Sequence, residues 1–305
     1  MFIEQAYKSD YHFAKYIPFA FCFFGLMVLQ FFMLQFLSID TNAIMESEIA
    51  KIGKNLFLLE NLIPFAFFLG VLLLWIKFVH KQKIISVTTS RPKIDWKRIF
   101  FSFGIWSLFV IITTFIDFYT APESYRWSFD LEPFLKLMVI AIVFIPIQTS
   151  FEEYLFRGYL MQGIGMMAGN RWLPLLLTST LFGLMHLSNP EVEKMGFLIM
   201  IYYIGTGFFL GIIILMDDGM ELALGFHAAN NLVGCLLVTS GYSALQTHAV
   251  LTDVSEPTAG LDIILPVFIV YPILLFIFSK KYKWNSWKEK LTGKVQEITP
   301  DKNLK

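Results

Sequence analysis

The sequence predicts an all-α fold, a polytopic membrane helix bundle of about eight transmembrane helices. Three observations carry this. Of 305 residues, 56% are hydrophobic and only 16% charged, and the mean hydropathy is +0.61, well outside the range of an ordinary soluble domain. The apolar residues gather in runs of about 17 to 25, the length that crosses a hydrocarbon core of roughly 30 Å at 1.5 Å per residue. The charged residues are sorted into particular loops instead of being spread evenly. With a formal net charge of zero, nucleic acid is not an expected partner, and the lipid bilayer is.

The first span is expected near residues 17 to 38. The mixed polar stretch before it does not read as a signal peptide, so this span stays as an anchor. A second span near 57 to 79 leads into a loop crowded with Lys77, Lys81, Lys83, Arg91, Lys93, Lys97 and Arg98. Such loops lie on the cytoplasmic side. Further spans are expected near 99 to 118, 134 to 155, 173 to 188, 196 to 215, 220 to 240 and 261 to 279, and the tail after the last is again basic, from Lys280 to Lys294. An even number of spans with both termini cytoplasmic fits this charge pattern, as expected for a protein of a bacterial inner membrane. Pro146 should kink the fourth span, and Gly205, Gly207 and Gly211 should give the sixth a face for close helix packing. Cys22 and Cys235 fall in apolar runs and read as packing residues. The chain reads as one structural domain in three parts. Residues 1–133 hold the first three spans and the basic loop, 134–240 a helical core, and 241–305 the last span and basic tail.

Candidate chemistry starts at Glu152-Glu153-Tyr154-Leu155-Phe156-Arg157. Ionisable groups at membrane depth are costly unless paired or facing a polar cavity, so they mark functional sites. Glu153 and Arg157 are four apart and share a helix face, whereas Glu152 points about 100° away. Glu153 is therefore the acid to be neutralised by Arg157, and Glu152 is the candidate general base. His186 lies in the next span. If the chain reverses at Gly169-Asn170, with Pro174 starting a helix, Glu152 and His186 stand at the same height, roughly 24 Å from the turn, and are expected to meet. In the seventh span His227 and Asn231 lie one turn apart on one face, and Asn230 is an alternative to Asn231. Neither HExxH nor GxSxG occurs, so a zincin helix and a hydrolase elbow are unsupported.

Taken in order, EExxxR from Glu152, FxxxH ending at His186 and HxxxN from His227 to Asn231 resemble the motifs of the CPBP (Abi) family, which includes the type II CAAX-prenyl endopeptidases. The resemblance covers roughly residues 134 to 240. It implies an intramembrane endopeptidase that hydrolyses a peptide bond of a membrane-associated peptide or protein, prenylated or bacteriocin-like. It also implies catalytic roles for Glu152 as base, His186 as its partner in holding the attacking water, and His227 and Asn231 as oxyanion donors, with Glu153 and Arg157 in support. The sequence departs from the common family pattern at Asp217-Asp218-Gly219-Met220-Glu221, where a Thr-Gly-Ser-type turn is often found. No cofactor is expected. Three other readings stay open at this point: a peptidase in which the same Glu and His residues bind one divalent metal such as zinc, an ion- or proton-coupled transporter, and an inactive scaffold or immunity protein.

Overall fold

The computed structural model describes residues 1–37, 40–257 and 260–296, so the basic tail beyond 296 lies outside the described residues. Helices α1 (Ile17–Phe36), α2 (Thr41–Ile52), α3 (Lys54–Phe78), α4 (Ile84–Thr88) and α5 (Trp96–Thr120) precede a short strand β1 (Tyr125–Trp127). Then come α6 (Leu131–Glu153), a π-helical segment (Tyr154–Leu160), α7 (Met161–Ala168), α8 (Trp172–Leu184), α9 (Pro190–Met195), α10 (Met200–Asp217) and α11 (Glu221–Leu237). Strands β2 (Val238–Ser240) and β3 (Leu251–Asp253) lead to α12 (Leu261–Leu265), a second π segment (Pro266–Val270), α13 (Tyr271–Tyr282) and α14 (Trp287–Thr292).

The fold is the expected helical membrane bundle, and the protein is a multi-pass membrane protein. Among the described residues, six helices are long and apolar enough to cross a bilayer, not the eight expected. The two remaining expectations correspond to α8, a 13-residue helix, and α11, a 17-residue helix whose composition is diluted by His227, Asn230 and Asn231. The fourth span is also longer than its apolar run suggests. Residues Leu131–Ala168 form one continuous helical rod of 38 residues, about 57 Å at 1.5 Å per residue, longer than a hydrocarbon core of roughly 30 Å. Helix α6 continues through Pro146, which has no N–H to give its ladder, and the hydrogen-bond pattern changes at the π segment just after Glu153. There i→i+5 bonding inserts one residue and re-aims the side chains beyond it.

The glycines of α10 do what the pattern predicts. A Cβ at Gly207 would lie 2.5 Å from the Ser179 carbonyl oxygen and one at Gly211 2.5 Å from Leu175 Cδ1, so both glycines seat α10 against α8, while Gly205 faces Val267. Helix α11 packs between α5 and α6, and α3 covers the far side of α6. Gly225 lets α11 approach the Ile99 carbonyl of α5 closely.

Each end of the bundle is closed differently. At the end of α5 the three short strands form a sheet in the order β1-β3-β2, with β1 antiparallel and β2 parallel to β3 and Trp127 opposite Leu251. Three-residue strands leave no readable alternation in sequence. At the other end both terminal segments meet. The Phe2 amide donates to Asp218 (3.1 Å), Lys290 pairs with Asp218 (2.7 Å), and Arg171 pairs with both Glu4 and Glu289.

The turn from α10 to α11, which departs from the family pattern, lies in this ionic layer. Asp217, 1% exposed at its side chain, accepts from Arg91 (2.9 Å), Arg98 (2.5 Å) and the Trp284 indole (3.0 Å), and Glu221 pairs with Arg91 at 3.0 Å. Asp218 adopts the left-handed conformation (φ 57°), which Asp tolerates better than most residues. A Cβ at Gly219 would lie 2.6 Å from Arg91 Nη1, so the residue there must be glycine for this packing. The unusual acidic turn is thus the anchor that seats the start of α11.

Candidate active site

The last turn of α6, the π segment after it and the first turns of α11 bring four ionisable side chains together in a buried cluster. Glu153 and Arg157 are both fully buried and pair at 3.1 Å, the i to i+4 contact that their spacing predicts. Arg157 also donates to the Gly207 carbonyl of α10 (3.1 Å) and lies 4.2 Å over the Phe182 ring of α8. Its charge therefore ties three helices at one point. The same Glu153 oxygen, Oε1, receives His227 Nδ1 at 2.8 Å, and His227 Nε2 stands 3.4 Å from Glu152 Oε2. The imidazole is held between the two adjacent acids. That contact cannot be read from the sequence, because it depends on the rotation of α11 relative to α6.

The arrangement fixes where protons sit. An ionised carboxylate only accepts, so the proton on the Glu153 side of His227 belongs to Nδ1. Nε2 then faces Glu152 with one proton for the two of them to share. With that proton on His227, the cluster contains two carboxylates, one guanidinium and one imidazolium, and its net charge is zero. Neutrality is what a buried charge set requires, since an uncompensated ion in this environment costs several kcal/mol.

Glu152, 2% exposed, also accepts from Gln148 Nε2 at 2.5 Å. Gln148 was not singled out in the sequence, although its position one turn before Glu152 on the same face is a signal that could have found it. Gln148 Oε1 in turn accepts from Asn231 Nδ2 at 3.1 Å. The choice between the two asparagines dissolves, because Asn230 Nδ2 donates to Asn231 Oδ1 (3.1 Å) and both belong to one hydrogen-bonded set.

His186 is the outlier. Its Nδ1 lies 2.8 Å from the Phe182 carbonyl oxygen, which can only accept, so Nδ1 carries a proton and the neutral ring presents Nε2 as an acceptor. The ring stacks on Tyr203 at 4.2 Å and 16°. Among the described residues no hydrogen bond joins His186 to Glu152. The two histidines share a wall instead: the Phe182 ring centroid is 5.1 Å from that of His186 and 5.7 Å from that of His227. The sum of those distances bounds the separation of the imidazoles, and it lies within one helix diameter, roughly 10–12 Å. All three motifs therefore converge, with His186 at the margin of the cluster.

As for metals, Glu153 and His227 engage one another, and Glu153 is further committed to Arg157. Among the described residues no group of three or more His, Cys, Asp or Glu side chains is arranged to hold a metal ion.

Residues 132–233 match the family model described as type II CAAX prenyl endopeptidase Rce1-like. This segment is Rce1-like. It runs from the start of α6 to the last turn of α11 and contains Gln148 and every residue of the buried cluster, together with His186, Asn230 and Asn231. A protein of Bacillus subtilis (strain 168), described as uncharacterized protein YyaK, is 35% identical over 165 residues, 54% of this chain and 55% of that protein. The chain thus spans about half the length of the curated relative it matches. No solved structure matches. The family likeness covers the Rce1-like helices alone, and α1 to α5 lie outside it.

Proposed function

We propose that the protein is an intramembrane endopeptidase that cleaves a peptide bond of a membrane-associated substrate. The observation that carries this reading is the buried Glu152–His227–Glu153–Arg157 set with Asn231 beside it, inside a segment similar to type II CAAX prenyl endopeptidases.

Hydrolysis needs a water made nucleophilic and donors aimed at the developing negative charge. Glu152 takes a proton from the water as its oxygen attacks the scissile carbonyl carbon. His186, with Nε2 as acceptor, orients that water from the other side. The carbonyl oxygen becomes an oxyanion and is held by the His227 Nε2 proton and a free Asn231 amide proton. Collapse of the tetrahedral species breaks the C–N bond, and the proton held on Glu152 passes to the leaving amine. Glu153, which accepts from Nδ1 and is paired with Arg157, stabilises the doubly protonated imidazolium that donates through Nε2. One such donor is typically worth about 10² to 10³ in rate.

The mechanism is proposed as metal-free, with both termini on the cytoplasmic face. The test compares the membrane peptides of cells carrying the wild type with those of cells carrying Glu152→Gln. A new peptide terminus that appears with the wild type alone is the expected result; identical peptide profiles at equal expression refute the peptidase reading. Activity that vanishes on chelation and returns with zinc overturns the metal-free route.

A further inference from the structure

Four hydrogen bonds outside the proposed chemistry lie in series. The Trp106 indole N–H of α5 donates to Asn230 Oδ1 (3.0 Å), Asn230 Nδ2 to Asn231 Oδ1 (3.1 Å), Asn231 Nδ2 to Gln148 Oε1 (3.1 Å), and Gln148 Nε2 to Glu152 Oε1 (2.5 Å). The line crosses from α5 through α11 to α6.

A side-chain amide is nearly symmetric in shape and can turn its oxygen or its nitrogen to a neighbour. What decides is the partner. Here the two ends of the line leave no choice. An indole N–H can only donate, so Asn230 must turn its oxygen to Trp106. An ionised carboxylate can only accept, so Gln148 must turn its nitrogen to Glu152. Both ends demand the same polarity, and all three amides obey it. Their dipoles therefore add, with the positive end at Glu152, and bonds aligned in series strengthen one another. Asn231 is the member that matters for catalysis. In this orientation one of its two amide protons goes to Gln148 and the other is free to meet an oxyanion. In the flipped orientation an oxygen would face the Gln148 oxygen, and the amide would repel the charge it is meant to hold.

We infer that Trp106, Asn230 and Gln148 form a one-way hydrogen-bond relay that fixes the amide of Asn231 as an oxyanion donor and orients the carboxylate of Glu152. They are positioning residues, and their effect on rate rests on the peptidase reading. Trp106 is otherwise a core ring packed on Phe226 (4.4 Å) and Phe109 (4.8 Å), so a packing role has to be separated from a donor role.

The experiment reads both ends. The full chain is labelled with ¹⁵N at Asn and Gln side chains in lipid nanodiscs, and the Gln148 amide resonances are assigned by their loss in Gln148→Met. Trp106→Phe with Tyr202→Phe keeps an aromatic ring at each position and removes both donors to Asn230 Oδ1, the indole at 3.0 Å and the hydroxyl at 3.4 Å. Trp106→Phe alone removes the shorter one, whereas Phe109→Leu disturbs the same packing and keeps both. The relay predicts that the double variant moves the Gln148 amide protons and Phe109→Leu leaves them in place. With a farnesylated peptide ending in a CAAX sequence as the probe, Trp106→Phe should lower kcat about tenfold, the scale of one lost hydrogen bond, at unchanged KM. Gln148 resonances unmoved in the folded double variant overturn the inference. Should that variant not fold, Gln148→Met is read at the Trp106 indole proton, where an unmoved resonance is equally fatal. A wild type that cleaves no probe counts against the peptidase reading, while the resonances still decide the relay.

Discussion

Replacing Arg157 with methionine removes the cation at the centre of the cluster and keeps most of the side-chain volume. Three contacts go at once: the 3.1 Å pair with Glu153, the 3.1 Å hydrogen bond to the Gly207 carbonyl, and the 4.2 Å stacking over Phe182. Arg157 and Glu153 are both wholly buried. Breaking such a pair from one side strands a charge and costs about 3–5 kcal/mol. The stacking adds about 1 kcal/mol of the same sign. Most of the loss comes from the stranded Glu153, not from a missing bond. Glu153→Gln placed on Arg157→Met should therefore recover about half of it, roughly 2 kcal/mol, so that the double variant loses less than the sum of the two single losses. The measurement is a double-mutant cycle by equilibrium unfolding in detergent micelles. Arg157→Met costing under about 1 kcal/mol, or a double variant whose loss is the sum of the singles, refutes the view that the cluster is a mutually neutralised set.

Gly207→Ala drives a methyl against the Ser179 carbonyl, where its carbon would lie 2.5 Å from the oxygen. The two helices must part, at about 1–3 kcal/mol, and the Gly207 carbonyl draws away from Arg157; thermal unfolding and peptidase rate should fall together. His80, in the loop after α3, is 1% exposed, and its ring lies 4.3 Å from that of Tyr16. Burial, helped by the nearby Lys15 charge, holds it neutral by lowering its pKa to about 4. Because the folded value lies below the unfolded one, the stability it supports is complete above about pH 6.5 and is lost as pH falls toward 4, by about 3 kcal/mol in all. Melting temperature followed from pH 7 to pH 4 should show this decline, and His80→Phe should flatten it. Asp217→Asn weakens the hold on Arg91 and Arg98 by about 2–3 kcal/mol, the scale of hydrogen bonds to a charged group. Limited proteolysis after Lys283 should then quicken, and an unchanged cleavage rate would show that the ionic layer does not secure the tail.

Helix existence was legible because bilayer thickness sets run length, and the Glu153–Arg157 pair was legible because i to i+4 spacing is local geometry. Convergence of Glu152, His186 and His227 followed from the three motifs read together. Three features had no sequence signal at this level. Length and composition single out six of the spans, because polar site residues dilute α11 and α8 is short. The π segment changes hydrogen bonding without changing composition. The seat of His227 between two carboxylates depends on how α11 is rotated against α6, which the Gly225 approach to α5 and the Asp217 anchor together determine.

That anchor has a consequence in time as well as in space. Asp217 and Asp218 are held by Arg91 and Arg98, made long before them, and by Trp284 and Lys290, made long after. A nascent chain that has just completed α11 already carries Glu152, His186, His227 and Asn231, yet the turn seating α11 still lacks two of its partners. Non-local closure of this kind comes late, after the intervening helices are in place. The cluster is therefore assembled before it is secured, and the segment that carries Trp284 and Lys290 locks in the geometry of a site more than fifty residues upstream.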